Sequence, residues 1–199
     1  MPGSFRFAVK LPKAITHERR LEGVKEPLAP FIDAISGLGK KLGAILVQLP
    51  PSFEFDLRTA KSFFKVLRRH YTGAVVLEPR HMTWFQAAAL AVAEANGISR
   101  VVADPAPKGC GDFMHASNDI AYFRLHGSPR IYFSSYPDDY LATLAERIGT
   151  IAARRTPVWC IFDNTGAGAA AANALTLIER FAAHKSGPKK KAVKNKKGG

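Results

Sequence analysis

Residues 74–85 read AVVLEPRHMTWF, four apolar residues followed at once by Glu78, Pro79, Arg80 and His81 and then by an amphipathic stretch. A short apolar run without polar alternation is the pattern of a strand covered on both faces, as in a parallel sheet. Such a strand ends in an acid, a base and an imidazole when its last residues leave the core for a polar cavity. Similar runs lie near 5–9 (FRFAV), 44–49 (AILVQL), 100–103 (RVVA), 120–125 (IAYFRL) and 158–162 (VWCIF). Amphipathic stretches separate them. Ala60, Phe63, Phe64 and Leu67 follow the i, i+3, i+4, i+7 pattern, as do Leu141, Leu144, Ala145 and Ile148. A helix is expected from near Trp84 to the Asn96-Gly97 stop. Strand and helix alternate throughout, which predicts a parallel α/β architecture. Only the link from Asp104 to Asp119 is too rich in turn residues to read as a helix.

Each strand ends in a group able to bind a ligand or move a proton. Lys10 follows the first, Gln48 lies late in the second, and Glu78, Arg80 and His81 close the third. Asp104 follows the fourth, Arg124 and His126 end the fifth, and Asp163 and Asn164 follow the sixth. In parallel α/β folds all these ends share one face, and in a barrel they converge on one pocket. Glu78 and His81 are the candidate acid and base. Lys10, His17, Gln48, Arg80, Asp104, Arg124, His126, Asp163 and Asn164 are the candidate ligand-binding set. Glu78, Asp104, His126 and Asp163 suit a divalent cation as hard ligands. An ion-pair network with Arg80, Arg124 and Lys10 explains the same residues without a metal and is the simpler reading, so no metal is assigned. The sequence names no cofactor.

Gly166-Ala-Gly168-Ala-Ala-Ala171 fits G-x-G-x-x-A, but the acid that a dinucleotide fold needs about 20 residues on is absent. Two alternatives remain, a phosphate held by backbone N–H groups at a helix start and the close packing of an alanine-rich helix, of which packing is the simpler. No Gly-x-Ser-x-Gly elbow, P-loop or Cys-His pairing supports a hydrolase or NTPase.

The chain has 199 residues, 47% of them hydrophobic, and a net charge of +13. That length suits one domain. Seven of those charges are lysines after Ala183, which leaves a moderately basic body of +6. The stretch 185–199, KSGPKKKAVKNKKGG, has no apolar face and is expected to be a disordered tail beside a domain at 1–184, capable of weak electrostatic contact with nucleic acid. Cys110 and Cys160 are the only cysteines, which implies free thiols in a reducing cytoplasm. No run reaches the ~18 apolar residues of a membrane span. Nothing in the composition fixes an oligomeric state.

FAVKLPKAITHERRL, LGAILVQLPPSFEFD, VVLEPRHMTWF, RVVADPA, YFRLHG and VWCIFDNTGAGAAAANAL together resemble the DUF72 family (YecE-like proteins), from about Phe5 to Phe181. The resemblance implies a (β/α)8 TIM-barrel-like fold with a polar mouth and, by loose analogy, sugar-isomerase-like chemistry. Family members usually begin with a Gly-Thr-Ser-Gly-Trp-like first strand and a second strand carrying a Glu and an Asn-Ser-Phe-Tyr-like stretch. Here the chain begins at what would be the third strand. The expectation is therefore an N-terminally incomplete barrel of about six parallel strands, lacking the first two βα units. The functional expectation is an uncharacterised barrel protein whose candidate activity is that of an acid-base or metal-assisted enzyme acting on a small polar or phosphorylated molecule. The alternatives are a nucleic-acid-associated binding protein and an inactive shortened remnant.

Overall fold

The computed structural model describes residues 2–107, 110 and 120–186. Most of the turn-rich link and all of the lysine-rich stretch from 187 onward lie outside the described residues. The strands are β1 (Phe7–Lys10), β2 (Leu42–Gln48), β3 (Val75–Glu78), β4 (Ile98–Arg100), β5 (Val102–Asp104), β6 (Ala121–Leu125) and β7 (Val158–Phe162). β4 and β5 are two halves of one run interrupted at Val101, whose N–H is taken up by Leu77 O at 2.9 Å. Among the described residues six strand positions result, all parallel, in the orders β1-β2-β3-β4 and β5-β6-β7. This is a curled, TIM-barrel-like α/β fold that lacks some of the strands of a closed barrel.

The helices are α1 (Lys25–Ser36), α2 (Leu57–His70), α3 (Ala87–Ala95), α4 (Asp138–Ala153) and α5 (Ala169–Ser186). α2 buries the predicted Ala60, Phe63, Phe64 and Leu67 and starts where the Asp56 side chain accepts the Thr59 N–H at 2.8 Å. α4 likewise buries Leu141, Leu144, Ala145 and Ile148. The helix expected from Trp84 begins later. Residues Met82–Phe85 form one 3-10 turn, and α3 starts only after Gln86. His81 caps the short turn and the Trp84 indole N–H donates to Phe53 O at 2.9 Å, which fixes Trp84 against the preceding loop. The Gly97 stop holds, with φ +62°.

Alternation along the strands sorts the core into an outside and an inside. Outward residues such as Ile45, Val47, Val75 and Leu77 pack under α1 to α3, while Phe123 and Leu125 pack under α4 and α5. Inward residues Ala44, Leu46, Val76 and Tyr122 form a third cluster with Trp159 and Ile161. Two residues further along the same inward rows stand Lys10, Gln48, Glu78, Arg124 and Asp163. The polar mouth is thus the top layer of the same stack whose lower layers are apolar, as in barrel interiors.

Trp159 does much of the interior filling. It stacks on Tyr122 at 6.0 Å and reaches across to Gly43 of β2. A methyl group at Gly43 would come within 2.3 Å of the Trp159 ring. Gly43→Ala is expected to destabilise the protein by roughly 1–3 kcal/mol, as overpacking does. The loss should shrink in a Trp159→Phe background, measured by denaturant unfolding; equal losses in both backgrounds would separate Gly43 from the tryptophan.

Candidate functional site

Glu78 is the last residue of β3, and its side chain is almost completely buried. A carboxylate there must be compensated. Arg80 Nη2 forms an ion pair with Glu78 Oε1. Arg124 Nη1 donates to Glu78 Oε2 at 2.6 Å and to Gln48 Oε1 at 3.2 Å, and Arg124 Nη2 reaches Asp163 Oδ2 at 2.5 Å. His126 completes the group: Nε2 lies 3.0 Å from Glu78 Oε1, and Nδ1 lies 3.1 Å from Asp163 Oδ2. The second contact is within ion-pair distance, and among the described residues Nδ1 has no partner that meets hydrogen-bond geometry. It is an electrostatic pair.

Pleating explains the convergence. Arg124 pairs in register with Ile161 of β7, and Glu78 with Gln48 of β2, so four strands deliver their polar ends at one height. The His126 N–H is fixed by Asp104 O at 2.7 Å and the Asp163 N–H by Leu125 O at 2.8 Å, which carries the register past the strand ends.

Burial by itself would raise the Glu78 pKa, but His126, Arg80 and Arg124 overcome it and hold the carboxyl below its ordinary value. Asp163 is held low chiefly by His126, with Arg124 and Lys10 adding to the effect. Burial would lower His126, yet Asp163 and Glu78 prevail and raise it above 6.5. Arg80 opposes them. Its Nη2 stands 2.6 Å from His126 Nε2, so this nitrogen accepts from Arg80 when neutral and donates to Glu78 when protonated. Arg80 Nε is buried without a hydrogen-bond partner among the described residues. The Asp163 side chain is 33% exposed against 1% for Glu78 and His126, which makes it the accessible carboxylate of the cluster.

The other sequence-predicted residues are placed around this group. His81 faces the β3–α3 loop, with Nδ1 2.9 Å from Thr83 Oγ1 and Nε2 4.0 Å from Glu54, so the imidazole that meets Glu78 is His126. Asp104 accepts from the Tyr136 hydroxyl at 2.7 Å. Asn164 is buried and donates to Ser134 O and Asn173 Oδ1, tying α5 to the β6–α4 loop. Lys10 is exposed at the end of β1 and acts on Asp163 through its charge. His17 sits in a π-helical turn (Ala14–Glu18) with Nδ1 2.8 Å from Thr16 Oγ1; burial, Lys13 and Lys10 lower its pKa. The Gly166 N–H is given to Tyr132 O at 2.8 Å, and a methyl group at Gly166 would meet that oxygen at 2.9 Å. The glycine pattern therefore serves loop packing at this position. Tyr132, Tyr136 and Asn173 were not marked by periodicity or motif; the only trace is two tyrosines soon after His126-Gly127.

Among the described residues no group of three His, Cys, Asp or Glu is arranged to hold a metal ion. The donor chemistry agrees, because both carboxylates of the cluster already bind guanidinium groups, whose charge repels a cation from the same oxygens. Nor is any described helix long and apolar enough to cross a membrane.

The pKa directions give a pH signature. The stabilisation from His126 is present in full below its ordinary pKa of 6.5 and is lost as pH rises through the raised folded value. That from Glu78 and Asp163 is lost only as pH falls through their depressed values. The wild-type melting temperature, relative to that of His126→Gln, should therefore decline as pH is raised above 6.5. A constant difference would contradict the imidazolium.

The described relatives agree with the architecture. A family model described as "Protein of unknown function DUF72" matches residues 1–197. A search of curated proteins gives no match. Among solved structures, the chain is similar to a DUF72 family protein from Thermotoga maritima, with a TM-score of 0.76, 29% identity, and coverage of 90% of this chain and 74% of that one. It is also similar to a DUF72 family protein from Enterococcus faecalis, with a TM-score of 0.76, 21% identity, and coverage of 91% and 76%. With the family match spanning nearly its whole length, the chain belongs to the DUF72 family.

Proposed function

We propose that the protein binds a small anion at the barrel mouth and that proton transfer there runs through Asp163, tuned by His126. The observation that carries this reading is the balance of the buried cluster. Arg80, Arg124 and protonated His126 supply three positive charges against the two of Glu78 and Asp163, with Lys10 at the rim. A phosphate or carboxylate neutralises the excess. Arg80 is the gripping residue: it is partly exposed, and its buried Nε has no hydrogen-bond partner among the described residues.

The assignment of acid-base roles shifts accordingly. Glu78 is saturated by three cationic groups and suits an electrostatic anchor more than a proton carrier. His126, sealed beside both carboxylates, tunes the cluster's charge, and Asp163, the accessible carboxylate, is the group placed to exchange a proton with a ligand. An acid-base enzyme acting on a small polar or phosphorylated molecule is the activity that fits these groups. Nucleic-acid contact through residues 185–199 has only their charge in its favour.

Inorganic phosphate, titrated calorimetrically, should bind the wild-type protein, and Arg80→Gln should weaken binding about tenfold or more, the scale of a lost charge-assisted hydrogen bond. Affinity should fall as pH rises through the folded pKa of His126. Equal affinity in wild type and Arg80→Gln would remove the mouth cluster as the anion site. Steep salt dependence that vanishes on deletion of residues 185–199 would transfer the binding to the lysines.

A further inference from the structure

The β6–α4 loop puts three large apolar side chains in solvent beside the charged cluster. Ile131, Tyr132 and Phe133 are all exposed, Tyr132 to 48%. Adjacent exposed apolar groups beside a polar cluster mark contact surfaces more often than accidents of packing. The Tyr132 ring stands edge-on to the His126 ring, 6.0 Å between centroids with 83° between planes, so it borders the innermost proton-bearing group. Arg130 lies 4.2 Å over the Phe133 ring and adds positive charge to the rim.

The loop is held in this form. The Tyr132 N–H donates to His126 O at 2.5 Å, and its carbonyl accepts from Gly166 at 2.8 Å. The Arg130 N–H donates to Ser134 Oγ at 2.9 Å, and Asn164 Nδ2 donates to Ser134 O at 3.0 Å. Gly127 turns the chain at φ +93°, and its N–H donates to the Tyr136 hydroxyl at 2.8 Å. Tyr132 itself sits at φ +70°, a left-handed conformation that disfavours any residue with a branched or aromatic side chain. Burial of its ring in the core does not offset that cost, because about half of the residue is in water. A strained residue fixed from both sides at the edge of a site is a place where strain serves function.

We infer that Tyr132 is a stacking subsite for a flat ring carried by the ligand, so that the ligand is a phosphate monoester bearing an aromatic ring. The phosphate binds at the outer side of the Arg80, Arg124 and His126 cluster, entered through the partly exposed Arg80, and the ring lies against Tyr132, with Ile131 and Phe133 widening the shelf. Base-like rings gain affinity on such platforms without hydrogen-bond readout. This assignment rests on the anion-binding reading above and adds the chemical class of the ligand.

The test compares the affinities of inorganic phosphate, glycerol 3-phosphate and phenyl phosphate for wild type, Tyr132→Phe and Tyr132→Gly. Glycine takes φ +70° without strain, so the loop keeps its path in the last variant; an unchanged melting temperature checks this. Phenyl phosphate should bind wild type and Tyr132→Phe about tenfold tighter than glycerol 3-phosphate, the scale of one stacked ring. In Tyr132→Gly the two should bind alike, with the affinity for inorganic phosphate unchanged. No ring preference in wild type, or a preference that survives in Tyr132→Gly, overturns the subsite and leaves the anion site standing. If none of the three compounds binds wild type, the anion site itself falls and the subsite with it.

Discussion

A carboxylate buried at the end of β3 organises the mouth of this barrel. An isolated charge at the depth of Glu78 would be several kcal/mol unfavourable, so the fold has to bring cations to it. Arg80 comes from its own loop, Arg124 from β6 and His126 from the residue after β6. Arg124 then needs Asp163 and Gln48 for the donors that Glu78 does not take. Each compensation recruits the next strand, and the network spans β2, β3, β6 and β7. Removing one partner leaves another buried charge unpaired, so the cluster specifies the register of the strands as well as the chemistry of the pocket.

Much of this was legible in the sequence because parallel strands are covered on both faces and end on a common side. The apolar runs gave the six strand positions. Arg124, Glu78, Gln48 and Asp163 stood at or just after their ends, where alternation points the top layer inward. Pairing within the cluster was not legible. His81 is three residues from Glu78, but Thr83 and the 3-10 turn hold it in the loop, whereas His126 is distant in sequence and adjacent in space. Asn164 and Asp163 are neighbours in sequence with separate surroundings: one faces the cluster and the other anchors Asn173 and Ser134. The family resemblance, carried by the quoted motifs, agreed with the strand count and with the incomplete barrel.

The same network separates roles that residue type alone would merge. Glu78 and Asp163 are both carboxylates with depressed pKa values, but one is sealed and the other partly open to solvent. His126 lies between them and shares Nε2 between Arg80 and Glu78. Its protonation is therefore coupled to Arg80, whose guanidinium charge opposes the proton that Glu78 and Asp163 favour. An anion bound at Arg80, as proposed above, would offset that charge and by linkage raise the affinity of His126 for its proton.

The most direct measurement is an NMR titration of the His126 ring nitrogens, without and with inorganic phosphate. The account predicts a pKa above 6.5 in the free protein and a further rise when phosphate is bound. A value at or below 6.5 that phosphate does not move would contradict the charged imidazole at the centre of the site, and with it the anion-binding mouth.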